Sequence, residues 1–209
     1  MPISTDLLLG LILFAFVSSI TPGPNNLMLL ASGVNFGFRR TIPHMLGIAG
    51  GFTVMTLVIG LGLAGLFIAW PPARVLLKLA SVGYLLWLAW RIANAAPPAK
   101  QAPLSTQRPP SKQAGTPFSM LQAAGFQWVN PKAWTMALTA NTLYAPSADL
   151  ASVLLVAGVF GAINLPSVSS WAAMGTMLRG FLRDPKRLRV FNVVMAGLLV
   201  ATLWPVLAQ

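Results

Sequence analysis

The sequence predicts an all-α integral membrane protein of six transmembrane helices, arranged as an inverted 3+3 repeat with helices 1 and 4 broken. Three observations predict it. The 209-residue chain is 56% hydrophobic and only 8% charged, against roughly 25% charged residues in a soluble domain. Charge-free stretches long enough to span a bilayer, about 18 residues or more, run from Thr41 to Ala73, from Leu150 to Leu178 and from Val190 to Gln209. Two other apolar segments are each interrupted by a polar, proline-containing motif, TPGPNN at 21–26 and QWVNPKAW at 127–134.

Taken in order, the first helix is expected over residues 7–34, and TPGPNN lies inside it. It is too long, and too polar at its far end, for a cleavable signal peptide. The second helix, 41–69, is uncharged and rich in Gly and Ala; Gly47, Gly51, Gly60 and Gly65 suit close helix approach. The third, 75–95, carries Lys78 and Arg91, whose long stems can reach the two interfaces. Residues 96–117, rich in Pro, Gln, Ser and Lys, read as a linker with no capacity to form a core.

Beyond it the fourth helix, 118–142, carries the second break. The fifth, 150–178, contains Asn164 and Pro166, and the sixth spans 188–207. One transmembrane domain, 1–209, thus divides into a first repeat, 1–95, the linker, and a second repeat, 118–209. Because each repeat holds three helices, the second must enter from the opposite face, the inverted topology of secondary transporters.

Basic residues set the expected orientation. Arg39 and Arg40, then Lys100, Arg108 and Lys112 in the linker, then Arg179, Arg183, Lys186, Arg187 and Arg189 fall in three loops on one side. The positive-inside rule places those loops in the cytoplasm and both termini outside. The net charge of +11 is accounted for in this way, and nucleic acid is not an expected partner. The lipid bilayer is. Small residues on helix two suit a homodimer interface as readily as internal packing.

The breaks carry the chemistry. A proline inside a helix lacks an N–H and leaves the carbonyl four residues back without its partner. Unsatisfied backbone survives in a membrane only where protein or a water-filled cavity meets it. Thr21, Pro22, Gly23, Pro24, Asn25 and Asn26 therefore suit a discontinuous helix that offers carbonyls and N–H groups to a small polar solute. The plainer alternative is a structural kink, with the asparagines bonding helix to helix.

Gln127, Asn130, Pro131 and Lys132 form the matching set, and Asn164 is a further candidate for the cavity wall, as are Gln122, Asn141, Ser167, Ser169 and Ser170. A lysine at the centre of a span costs about 2.5–3.5 kcal/mol on insertion scales and normally faces a cavity or a partner. The chain's acids, Asp6, Asp149 and Asp184, lie outside the expected helix cores. Lys132 then either meets the carboxylate of a solute, or the helix is interrupted near 130 and the lysine snorkels or bonds backbone carbonyls of the other break. His44 more often packs than relays protons.

An enzyme is not expected. The chain has one histidine, no cysteine and no acid within the expected spans, too little for an intramembrane hydrolase or a metal site. No catalytic residue, cofactor or metal is assigned.

TPGPNNLMLLASGVNFGFRRTIPHMLGIAGGF (21–52), LASVGYLLWLAWRI (79–92) and FQWVNPKAW (126–134) resemble the LysE/RhtB family of bacterial amino-acid exporters, over nearly the whole chain. The resemblance implies an inner-membrane exporter of amino acids or close derivatives, driven by the proton gradient. It marks Pro22, Gly23, Pro24, Asn25, Asn130, Pro131 and Lys132 as characteristic positions. Many members carry an aspartate where this chain has Asn25, and an asparagine cannot carry the coupled proton. The expectation is secondary active export of small zwitterions by alternating access between the two breaks, with a passive channel as the alternative.

Overall fold

The computed structural model describes residues 4–65, 69–95 and 116–207, and they are helical throughout apart from short connections. Most of the expected linker, with Lys100, Arg108 and Lys112, lies outside the described residues.

Helix α1, Thr5–Ile20, is capped by the Ser4 hydroxyl, which accepts from the Leu7 N–H. It stops where the break begins. Thr21 and Gly23 are extended, and α2 restarts at Pro24, which stands at its first turn where a missing N–H costs nothing. The two axes are bent by 53°. α2 runs Pro24–Phe36 and turns at Gly37, whose φ of +81° is left-handed backbone. α3, Phe38–Gly60, follows at once. It ends earlier than the expected residue 69, because the chain turns through Gly62 at φ +115° into a short turn, Leu63–Gly65.

α4 is Pro72–Ala93. The fourth expected helix is two pieces, α5, Met120–Gln127, and α6, Pro131–Tyr144, with the second break between them. α5 opens with a reciprocal capping box between Ser119 and Gln122, so Gln122 is a cap at an exposed helix end and not a cavity residue. α7, Leu150–Leu178, keeps the expected bounds, with Asp149 accepting from the Ser152 N–H at its start. α8, Pro185–Ala201, is capped by Asp184, and a final turn, Trp204–Leu207, follows.

Among the described residues three helices, α3, α4 and α7, are long and apolar enough to cross a membrane, and the bent pair α1–α2 makes a fourth. α8 has 17 residues, and α5 and α6 have 8 and 14, so none of these alone reaches that length. The outer surface is apolar: Leu9, Leu13 and Phe16 on α1, and Val75, Leu79 and Trp90 on α4, are at least half exposed. Water would not tolerate so much contiguous apolar surface, and lipid does.

α7 is the central element, packed on α1, α2 and α3; α5 and α6 lie on α3, and α4 pairs with α8. Small residues set the closest crossings. A Cβ on Gly33 would stand 2.3 Å from the Ala172 carbonyl oxygen, and one on Gly175 2.2 Å from that of Leu30, so α2 and α7 touch backbone to backbone. Gly47 and Gly51 bring α3 against Met120 and Ala124 of α5 in the same way, and Gly60 meets Asn141 and Val153. Gly65 has no such neighbour.

Candidate functional site at the paired helix breaks

α1 ends and α2 begins opposite the end of α5 and the start of α6; Thr21 and Pro22 of the break are exposed, while Gly23, Pro24 and Asn26 are buried. Helix N-termini concentrate unpaired N–H groups and partial positive charge. Asn130 caps α6, its side-chain oxygen accepting from the Lys132 N–H at 3.2 Å. Gly23 precedes α2 without a side-chain cap.

The breaks are joined by side chains. Lys132 Nζ donates to the Thr21 carbonyl at 2.8 Å, the Thr21 hydroxyl at 2.9 Å and the Pro22 carbonyl at 3.4 Å. The backbone of the other break, one of the partners the sequence leaves open to this lysine, meets it here. Gly23 allows the approach, since a Cβ there would lie 2.7 Å from Lys132 Cδ. Asn25 and Gln127 exchange two hydrogen bonds, Asn25 Nδ2 to Gln127 Oε1 at 2.8 Å and Gln127 Nε2 to Asn25 Oδ1 at 3.2 Å. Gln127 is fully buried and also donates to the Ala123 carbonyl. Asn26 instead repairs its own break, donating to the carbonyls of Ser19 and Thr21. Trp171 donates from Nε1 to the Ile20 carbonyl, another group freed by the break.

A narrow cleft lies between these elements, with about 20 Å³ of free space, room for little more than one water molecule. Gly23, Asn25, Asn26, Asn130, Lys132 and Asn164 line it, with Ser18, Ser19, Phe52 and Met136 among the rest of the wall. Asn164 is buried; its Nδ2 donates to the Ser19 hydroxyl at 3.2 Å, while its Oδ1 has no hydrogen-bond partner. A lysine ammonium and an unpaired carboxamide oxygen are the kinds of group that meet a carboxylate and an ammonium, and the cleft would have to widen to admit an amino acid between them.

Of the residues expected from sequence, Gly23, Asn25, Asn26, Asn130, Lys132 and Asn164 line the cleft, while Thr21, Pro22 and Gln127 reach it through the bonds just described. Pro24 and Pro131 serve as first-turn residues. Asn141 does not line the cleft and bonds the Thr56 carbonyl across α3. Ser167, Ser169 and Ser170 bond carbonyls of their own helix. Ser18 and Ser19 escaped the sequence reading; their signal was two adjacent hydroxyls at the end of an apolar run, just before TPGP.

An apolar, multi-pass helical bundle with two helix breaks joined by side chains suits a membrane translocator. The model of the LysE type translocator family matches residues 16–203, and the chain belongs to that family. It is 31% identical over 196 residues, 90% of each chain, to the cysteine/O-acetylserine efflux protein of Escherichia coli strain K12. The proteins of the same name from Shigella sonnei and Escherichia coli O1:K1 are similar to the same degree. No solved structure matches the chain.

Proposed function

We propose that this protein exports amino acids or closely related small zwitterions across the bacterial inner membrane, by alternating access of two inverted triplets around the cleft between the breaks. The observation that carries the reading is the clamp of Lys132 on Thr21 and Pro22 beside the free oxygen of Asn164. A solute carboxylate competes with the Thr21 and Pro22 carbonyls for the lysine, and its ammonium takes the Asn164 oxygen. Binding then exchanges the bond between the breaks for bonds to the solute, which couples occupancy to their separation.

The relatives' names, which speak of cysteine and O-acetylserine efflux, support small polar amino acids as the solute class. Packing supports the inverted repeat: α3 of the first triplet meets its counterpart α7, α4 meets its counterpart α8, and each broken helix lies on the second helix of the other triplet. The proton gradient as driving force rests on the family resemblance. Among the described residues the cleft has no carboxylate, so in this reading the proton travels by another group or with the solute. The orientation, with the basic loops in the cytoplasm and both termini periplasmic, follows from the distribution of Lys and Arg.

Efflux from cells loaded with dipeptides tests the reading, comparing the protein, Lys132→Met and an empty control. The expected result is selective efflux of one or a few amino acids, lost in the variant at equal membrane abundance. Efflux equal to the control for every amino acid would overturn it, and flux that never saturates would favour a channel.

A further inference from the structure

The face of α2 that starts at the breaks continues to a second cavity. Asn25, Met28, Ser32 and Asn35 recur at intervals of three and four, one face of a helix, and Asn35 stands about 15 Å along the axis from Asn25. The last three line a cavity of about 260 Å³, bounded also by His44 of α3, Arg91 of α4 and Phe118. Asn94, Ala95, Thr116 and Pro117, at the end of α4 and ahead of α5, complete its wall.

Three of its side chains keep hydrogen-bonding groups that the fold does not pair. The guanidinium of Arg91 lies over the ring faces of Trp87 at 5.0 Å and Phe118 at 5.8 Å. Such stacking holds the cation and leaves its in-plane N–H groups free, and among the described residues no acceptor takes them. Asn35 donates twice from Nδ2, to the Ala31 carbonyl at 2.8 Å and to Asn192 Oδ1 at 3.1 Å, and Asn192 donates in turn to the Ala95 carbonyl. That chain fixes the amide orientation and leaves Asn35 Oδ1 as a buried acceptor with no donor. His44 is 1% exposed and stacks on Phe118 at 5.2 Å, and neither ring nitrogen has a partner. Buried polar groups are ordinarily paired. A fork of cationic donors lining one cavity with an orphan carboxamide oxygen and an unpaired imidazole complements a small α-amino acid.

We propose that this cavity is a second solute station, separate from the cleft at the breaks, in which Arg91 holds the carboxylate and Asn35, with His44 beside it, receives the ammonium group. Its ligand class rests on the export reading. The shared face of α2 makes it the place where solute waits on the linker side before it reaches Lys132.

The chain has no cysteine, so Asn94→Cys places a single thiol at an exposed position of the cavity wall. The rate of its modification by a methanethiosulfonate reagent is measured on purified protein in lipid nanodiscs, with and without O-acetyl-L-serine. The expected result is a slowing of about 5-fold in N94C and equally in N94C/K132M, none in N94C/R91Q, and none with serinol, which lacks the carboxylate. Equal rates with and without the amino acid in N94C, as a cavity holding only water would give, overturn the proposal; so does protection that survives R91Q. Where R91Q does not reach the membrane, R91K decides: protection at least 3-fold weaker supports the station, and undiminished protection removes it. Failure of the export reading is read separately, as efflux from loaded cells equal to the empty control, and leaves the protection result to judge the station.

Discussion

Lys132 and Gly23 act as one unit, because the lysine reaches Thr21 and Pro22 only across a residue without a side chain. In Gly23→Ala the added methyl displaces the flexible end of a side chain, not backbone, so the protein folds while the clamp is pushed aside. Export by G23A is expected to fall several-fold at unchanged abundance, and G23L to match the empty control. Efflux assays with immunoblots of the membrane fraction check both. The Asn25–Gln127 pair allows a sharper test. Asn25→Leu leaves one buried Gln127 acceptor without its donor, at a cost of about 1–3 kcal/mol, and the double variant N25L/Q127L recovers part of that loss. Thermal unfolding of the single and double variants measures the coupling, and strict additivity would show that the pair is not formed. Both pairs were only partly legible beforehand. Residue types and spacing marked each break as a polar site, but which donor meets which acceptor across about a hundred residues of chain is a matter of three-dimensional register.

At the scale of elements, the crossing of α2 and α7 depends on Gly33 and Gly175, each of which faces backbone that cannot move aside. Gly175→Leu is expected to abolish recovery of folded protein from the membrane, while Gly158→Leu, with nothing near the added Cβ, leaves it unchanged. Size-exclusion profiles of the two variants give the answer. The start of α7 provides a pH-dependent prediction. Hydrogen bonds from the hydroxyls of Ser147 and Ser152 and the Ser152 N–H hold the Asp149 carboxyl well below the usual carboxylate range. A depressed folded-state value stabilises the folded protein above the unfolded value, about pH 3.9, and the contribution is lost as pH falls through the folded value. The difference in Tm between wild type and Asp149→Ala should therefore stay constant from pH 7 to about 5 and shrink only in stronger acid. The bounds of α7 were plain from sequence because its start is capped and its span uncharged. The end of α3 was not, since an apolar run continued past Gly60 while the backbone turned at Gly62.

For the whole molecule, the basic loops and the paired triplets make one prediction together. A reporter active only in the cytoplasm, fused within the linker, should be active, and the same reporter after residue 209 should be silent; the reverse pattern would refute the proposed orientation. In the proposed cycle, solute changes the distance between Thr21 and Lys132. What the sequence by itself determined is the class of the molecule. Composition, charge-free lengths and the two proline-containing motifs specify a helical membrane protein with interrupted helices, because hydrocarbon imposes that every backbone group be satisfied locally or by a cavity. Only the tertiary structure decided that Lys132 is held by the opposite break, that Ser19 and Asn164 meet in the cleft, and that Asn35, His44 and Arg91 share a second cavity. Periodicity places a residue on a face of its own helix; the partner it meets depends on how the helices cross, and in this chain that is set by close backbone approaches at Gly33, Gly47, Gly51 and Gly175.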